Sequence, residues 1–299
     1  MVSQPLLVPQ ALVRIRERFC PDLLEVAEGS AVANLITGDS RKVLQAFPDD
    51  FFQTCITSPP YWSLRDYGIE GQIGMEDSLE EYLQDLVAIF EEVRRVVRQD
   101  GTLWLNIGDS YTSGNRTWRA PDRKNGARAM SKRPPTPAGL KPKDLIGVPW
   151  KLAFALQDAG WYLRSDVVWY KPNCQPESVK DRPTRSHEYF FMFSKSEDYV
   201  YDTRAIRGPN DRQLRTVWNI NAKPYRGAHF ATFPSELVIN PVRLCSRPGE
   251  WVLDPFNGSA TTGEVAVANG RNYVGVDINP EYIEISRKRL LKSGGQLEY

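Results

Sequence analysis

An open, mostly parallel α/β sheet is predicted for this chain by three observations. Apolar runs of strand length alternate with segments of helical period, the strands end in polar or turn-forming residues, and the last third reads as a strand–turn–helix–strand–helix unit. In open parallel sheets, ligands lie at the carboxyl ends of strands beside the point where strand order reverses. Chemistry is therefore expected at the strand ends.

Asn34 to Thr37 reads as a strand ending at Gly38-Asp39-Ser40, and Phe52 to Thr57 as a second ending at Ser58-Pro59-Pro60-Tyr61. Ser78 to Gln99 is the clearest helix: Leu79, Tyr82, Leu83, Leu86, Phe90, Val93 and Val97 fall on one face, with Ser78 as N-cap and Glu81 three residues on. Thr102 to Ile107 follows as a strand, Leu145 to Ala159 as a helix, and Tyr162 to Tyr170 and Glu188 to Phe193 as strands. Pro234 to Ser246 is helical in pattern, with Pro241 expected to kink it. The closing unit is strand Trp251 to Leu253, turn Asp254 to Ser259, helix Thr261 to Asn269, strand Tyr273 to Val276 and helix Glu281 to Leu291.

At 299 residues, 41% hydrophobic and 25% charged, the chain has ordinary globular composition and fits a single α/β domain spanning 1–299. No apolar run approaches the roughly 18 residues of a membrane span. Four scattered cysteines without a C-x-x-C pair, and only two histidines, give no disulfide framework and no metal site, so a cytoplasmic location is expected. The net charge is +1, but the cations cluster. From Tyr111 to Lys151 ten Lys and Arg residues, among them Arg116, Arg123, Lys124, Arg128, Lys132 and Arg133, face only Asp122 and Asp144. Residues 111–143 thus form a basic insert suited to phosphate contact, equally readable alone as a solvated surface loop. The stretch 197–229, with Arg207, Arg212, Arg215, Lys223 and Arg226 around Trp218 and Tyr225, is a candidate target-recognition segment or a plain surface excursion.

Three motifs carry chemistry. In Asp254-Pro255-Phe256-Asn257-Gly258-Ser259-Ala260-Thr261-Thr262-Gly263, Gly258 permits close backbone approach, the following helix offers N–H groups to a carboxylate, and Asp254 suits an ammonium. That combination fits an amino-acid-like cofactor, although a structural turn or a dinucleotide site explains the turn alone as well. In Val276-Asp277-Ile278-Asn279-Pro280, Asp277 is placed to accept from both hydroxyls of a ribose, while Asn279 before Pro280 also fits a helix cap. In Ser58-Pro59-Pro60-Tyr61, two prolines fix the chain and leave carbonyls as acceptors beside a hydroxyl and an aromatic ring. Such a site suits a planar amine, with Tyr61 stacking on a base taken out of its helix.

With these residues in place, the chain resembles the amino-group DNA methyltransferases, in the permuted arrangement where the catalytic motif precedes the cofactor motif. The resemblance runs from Gly38 to Leu290 and includes Lys143 to Trp150, Trp169-Tyr170-Lys171-Pro172-Asn173, Ser186-His187-Glu188-Tyr189 and His229 to Pro234. It implies a Rossmann-like S-adenosylmethionine-dependent methyltransferase fold, with helices on both faces of a mostly parallel sheet and inserted recognition loops. It further implies Ser58, Pro59, Pro60 and Tyr61 as the catalytic motif, and Asp39, Phe233, Asp254, Phe256, Gly258 and Asp277 around S-adenosylmethionine. Asp39 is matched to the cofactor adenine and Phe256 to its methionine portion. Ala260 departs from the family, whose loop commonly has a second glycine there, and the extra methyl is expected to alter packing without abolishing binding. Ser at the head of the motif is the form associated with cytosine N4. Methylation at cytosine C5 needs a nucleophilic cysteine, typically after proline, and the chain has no Pro-Cys dipeptide.

The expected reaction is direct in-line transfer to N4 of a flipped cytosine in double-stranded DNA, without metal, by a monomer or homodimer. A cognate restriction endonuclease sharing the site is an expected functional partner, with no stable complex implied. The alternatives are adenine-N6 transfer, an RNA or protein amide substrate, and a cofactor-binding regulator without chemistry.

Overall fold

The computed structural model describes residues 10, 12, 15, 24–28, 31–113, 118, 133–206, 213–223, 233–292 and 296–298. Strands β1 (Leu24–Glu28), β2 (Ala31–Thr37), β3 (Phe52–Thr57), β4 (Val97–Ile107), β5 (Tyr162–Tyr170), β6 (His187–Ser194), β7 (Val217–Asn219), β8 (Trp251–Asp254), β9 (Asn272–Asp277) and β10 (Gln296–Glu298) form one sheet. Its order is β10-β1-β2-β9-β8-β3-β4-β6-β5-β7. The central strands β2, β9, β8, β3 and β4 pair in parallel. Strand β6 inserts antiparallel between β4 and β5. The mostly parallel sheet expected from the sequence is present.

Alternation along the strands explains the two cores. Ile36, Cys55, Leu103, Leu105, Phe191, Leu253 and Val276 point to one face, where α1 (Ser40–Leu44), α2 (Leu79–Val96) and α3 (Val148–Asp158) cover them. Leu35, Ile56, Trp104, Phe190, Val252 and Tyr273 point to the other, under α4 (Ser235–Cys245), α5 (Thr261–Ala268) and α6 (Pro280–Lys292). Helices lie on both faces. On α2, Tyr82, Leu86, Phe90 and Val93 are fully buried, and Ser78 and Glu81 form the expected capping box.

Some boundaries differ from the sequence reading. Helix α2 stops at Val96 and β4 begins at Val97, although the sequence carries the helical reading on through Arg98 and Gln99. Val97 is buried against Phe52, and the pairing shifts register before resuming at Thr54 with Thr102. Gly101 makes the shift possible, since a Cβ there would lie 2.7 Å from the Gln53 carbonyl oxygen. Strand β1, the edge strands β7 and β10 and the five-residue α1 are not predicted from the sequence, being too short or too polar to show a period. Trp218, read as part of a basic surface, is a core residue on β7, stacked 6.0 Å from Trp104 and edge-on to Phe190.

Strand order reverses between β8 and β3. From β8 the chain runs through α5 to β9 on one side, and from β3 through α2 to β4 on the other. The two motif-bearing turns, Ser58 to Tyr61 and Asp254 to Ser259, leave this point together.

Candidate active site

A cleft of about 1070 Å³ opens at the carboxyl ends of these strands. One half is lined by Asp39, Phe256, Gly258 and Asp277, with Phe233 also at the wall, and the other by Ser58, Pro59, Pro60 and Tyr61.

In the first half, β2 and β9 pair up to Thr37 and Asp277, and the Gly38 N–H donates to the Asp277 carbonyl at 2.9 Å. Asp39 and Asp277 therefore project from adjacent strand ends. Asp277 accepts from the Gly258 N–H at 2.7 Å on one oxygen and from the Asn279 N–H at 2.9 Å on the other. Each oxygen keeps a second lone pair for a ligand hydroxyl. Burial raises the Asp277 carboxyl to about 7, against the pull of these two backbone donors. The two tasks left open by the sequence are divided: Asn279 caps α6 by accepting from the Glu281 N–H at 2.9 Å, and Asp277 faces the cleft. Asp39 caps α1 with one oxygen, accepting from the Arg41 N–H at 2.9 Å.

Asp254 is placed differently from its expected role beside an ammonium. It is 1% exposed and lies beneath the cleft floor, where one oxygen accepts from the Thr57 hydroxyl at 2.6 Å and from the Phe256 N–H at 3.1 Å. Burial lifts its carboxyl to about 6. Its geometry braces the end of β3 against the turn after β8. That turn passes close to the sheet because β9 carries Gly275, where a Cβ would fall 2.2 Å from Asn257 Oδ1. Ala260 takes the left-handed conformation, φ 56° and ψ 42°, in which glycine is unstrained.

In the second half, the Pro60 carbonyl accepts from the Tyr82 hydroxyl of α2 at 2.9 Å, which fixes the loop. Among the described residues nothing donates to the Pro59 carbonyl, leaving it as an acceptor beside Ser58. Tyr61 donates its hydroxyl to Glu188 Oε2 at 2.8 Å. Its phenol is raised well above the usual range by burial and by Glu188, while the Ser58 hydroxyl works in the opposite direction. Glu188 also accepts from Asn106 Nδ2 at 3.2 Å and forms an ion pair with Lys171.

Glu188, Lys171, Asn106 and Asp109 all line the cleft, and none was singled out by its chemistry in the sequence. Glu188 and Lys171 lay within the stretches that carried the resemblance, and that was their one signal. Asp109 accepts from the Gly147 and Val148 N–H groups at 3.0 and 3.1 Å, so it caps α3 from across the cleft wall. Of the expected DNA-contacting cations, Arg116, Arg123, Lys124, Arg128 and Lys132 lie outside the described residues. Arg133 lines a smaller cavity of about 260 Å³ that shares Asp109 and Arg185 with the main cleft. In the second polar stretch, Arg207, Arg212, Tyr225 and Arg226 are likewise outside, while Lys223 reaches the cleft rim and pairs with Glu236.

The donor set fits S-adenosylmethionine: a carboxylate with spare lone pairs for ribose hydroxyls, a second carboxylate at the adjacent strand end, an aromatic ring and a glycine turn. Residues 52–288 match the family model described as DNA methylase. The chain is 60% identical over 262 residues to the Type II methyltransferase M.Cfr9I of Citrobacter freundii, covering 86% of this chain and 87% of that one. It is 56% identical over 282 residues to M.SmaI of Serratia marcescens, covering 91% and 97%. A putative DNA modification methylase from Thermus thermophilus, solved in complex with S-adenosyl-L-methionine, superposes with a TM-score of 0.62 at 25% identity, over 86% and 93% of the two chains. The PvuII DNA methyltransferase, described as cytosine-N4-specific, shares the fold with a TM-score of 0.66 at 21% identity, over 87% and 90%. The family match over most of the chain, together with these relatives, shows that the chain belongs to the N6/N4 family of S-adenosylmethionine-dependent DNA methylases.

Proposed function

We propose that the enzyme methylates the exocyclic N4 of cytosine within a specific sequence of double-stranded DNA, turning the target base out of the helix and into the cleft. The observation that carries this reading is the Ser58 hydroxyl beside the Pro59 carbonyl, to which no described residue donates, at the reversal point and facing the same cleft as Asp277. An exocyclic amine has its lone pair delocalised into the ring and is a weak nucleophile. Ser58 Oγ and the Pro59 carbonyl accept its two hydrogens and draw the nitrogen toward tetrahedral geometry, freeing the lone pair. S-adenosylmethionine supplies an electrophilic methyl group when bound. Asp277 and Asp39 orient it through its hydroxyls and adenine, Phe256 packs beside it, and Tyr61 presents a face to the base. The serine at the motif head, a neutral acceptor in place of a carboxylate, supports cytosine over adenine.

The basic insert at 111–143 supplies phosphate contacts, and the segment 197–229 reads sequence. A monomer or homodimer in the reducing cytoplasm, serving with an endonuclease that cuts the same site, completes the reading. Among the described residues no helix is long and apolar enough to cross a membrane, and Cys55, Cys174 and Cys245 are free thiols.

The test is to methylate plasmid DNA with labelled cofactor, digest it to nucleosides and identify the labelled base by mass. N4-methylcytosine is expected. N6-methyladenine would overturn the choice of base, and label absent from DNA would overturn the substrate.

A further inference from the structure

We propose that Glu188 is the positioning residue for Tyr61, and that Lys171 in turn fixes Glu188. Tyr61 stands on a loop, and a ring meant to stack on an incoming base needs its tilt set before the base arrives. The prolines fix the backbone but leave the two side-chain torsions of Tyr61 open. Its hydroxyl is held by Glu188 at 2.8 Å, and Glu188 sits at the start of β6, paired in register with Trp169 of β5. The same Glu188 oxygen accepts from Asn106 of β4 at 3.2 Å, and Asn106 also donates to the Tyr189 carbonyl at 3.1 Å. The other oxygen takes the Lys171 ammonium, which lies 4.0 Å from the centroid of the Trp169 ring. Trp169 is itself fixed through its indole N–H, which donates to the Ile220 carbonyl at 2.9 Å.

Two independent features support the assignment. Gly108, immediately after β4, leaves room for the arrangement: a Cβ there would lie 2.7 Å from Tyr61 Cε2 and 3.3 Å from Glu188 Cδ. The backbone is thus shaped around this pair. The polarity of the contact matters as well. A carboxylate only accepts, so the phenol hydrogen goes to Glu188, at 2.8 Å against 3.5 Å for Asn106 Oδ1, and the phenol oxygen keeps lone pairs that can accept from a hydroxyl such as that of Ser58. The lone pairs of Ser58 then remain for the target amine. Glu188 acts through Tyr61, at one remove from the reacting atoms.

The inference rests on Tyr61 facing the target base. Its test is a double-mutant cycle on the single-turnover rate at saturating cofactor and DNA, comparing wild type, Tyr61→Phe, Glu188→Gln and the double variant. Glu188→Gln alone is expected to slow transfer about ten- to a hundredfold. Its melting temperature and cofactor affinity should stay near wild type. In the Tyr61→Phe background the same substitution should change the rate by less than about twofold, because the hydroxyl it acts through is gone. An equal slowing in both backgrounds, or none in either, overturns the proposal. If the Gln variant does not fold, Glu188→Asp, with a shorter reach, runs the same cycle. The rate is followed as label passing from cofactor to DNA, so the coupling is read whichever base carries the amine, and an error in the assigned base appears only in the product mass.

Discussion

At and beneath the half of the cleft proposed for the cofactor, Asp277 and Asp254 face backbone N–H groups and the Thr57 and Thr262 hydroxyls, whereas in the half proposed for the base Glu188 faces an ammonium, a phenol and an amide. The first arrangement leaves carboxylates under-compensated for burial, and both are raised, to about 6 and about 7. The second surrounds its carboxylate with donors. On the proposed reading, the difference follows from what each half does. A site awaiting ribose hydroxyls keeps unspent acceptor capacity, while a site that aims a ring must be satisfied before the substrate comes.

The largest effect is expected where an acceptor meets the reacting amine. Ser58→Ala removes one of two acceptors and should slow single-turnover methylation about ten- to a thousandfold, with calorimetric cofactor affinity unchanged. An unchanged rate would remove the serine from the chemistry and leave the base half as a binding wall.

Next in size is Asp277. Asp277→Ala should weaken S-adenosylmethionine by about 1.5 to 3 kcal/mol, the value of a lost charged acceptor. The raised carboxyl adds a pH signature. Ribose hydroxyls donate best to the ionised form, so affinity should rise by up to about tenfold from pH 6 to pH 8 as Asp277 ionises, and Asp277→Asn should be flat over that range. A wild-type titration with no slope there would detach Asp277 from the ligand.

Asp254 shows its under-compensated burial in stability rather than in binding. Its folded carboxyl lies near 6, above its ordinary 3.8, so its contribution is fully present below about pH 4 and is lost as pH rises through 6. The penalty by pH 8 is about 3 kcal/mol. Asn keeps an acceptor for Thr57 and Phe256 without ionising. Asp254→Asn should therefore gain stability relative to wild type between pH 5 and pH 8 in denaturant unfolding. A constant difference across that range would mean that Asp254 does not titrate there.

The smallest effect is expected at Ala260. Its left-handed backbone costs on the order of 1 kcal/mol, and its buried methyl offsets about 0.8 kcal/mol of that. Ala260→Gly should move stability by less than about 1 kcal/mol and cofactor affinity by less than about twofold. A larger loss of affinity would place the methyl against the cofactor.

The central parallel sheet and its motif-bearing turns were legible because each depends on local sequence. Strand Phe52–Thr57 sets Phe, Cys and Ile among β-favouring threonines, α2 has a clean period with its capping box, and the turns after β3 and β8 carry residues that only special backbone needs would place there. What was not legible depends on distant partners. Asp254 looked like a ligand residue because its burial under Thr57 is a property of two strands meeting. Glu188 and Lys171 look like ordinary surface charges in sequence, and become a site only when β5 and β6 pair and bring them under Tyr61. Trp218 read as a recognition residue because the cations around it hid a three-residue strand that packs on Trp104.

The division of the cleft is tested most directly by asking which defects excess cofactor repairs. Single-turnover methylation by Asp277→Ala and Ser58→Ala is measured at rising S-adenosylmethionine with saturating DNA. Asp277→Ala should recover to within about threefold of wild type once the cofactor is saturating, because only binding was lost. Ser58→Ala should stay slow at every concentration. An Asp277→Ala rate that remains depressed at saturation, or a Ser58→Ala rate that recovers, would contradict the assignment of one half to the cofactor and the other to the amine.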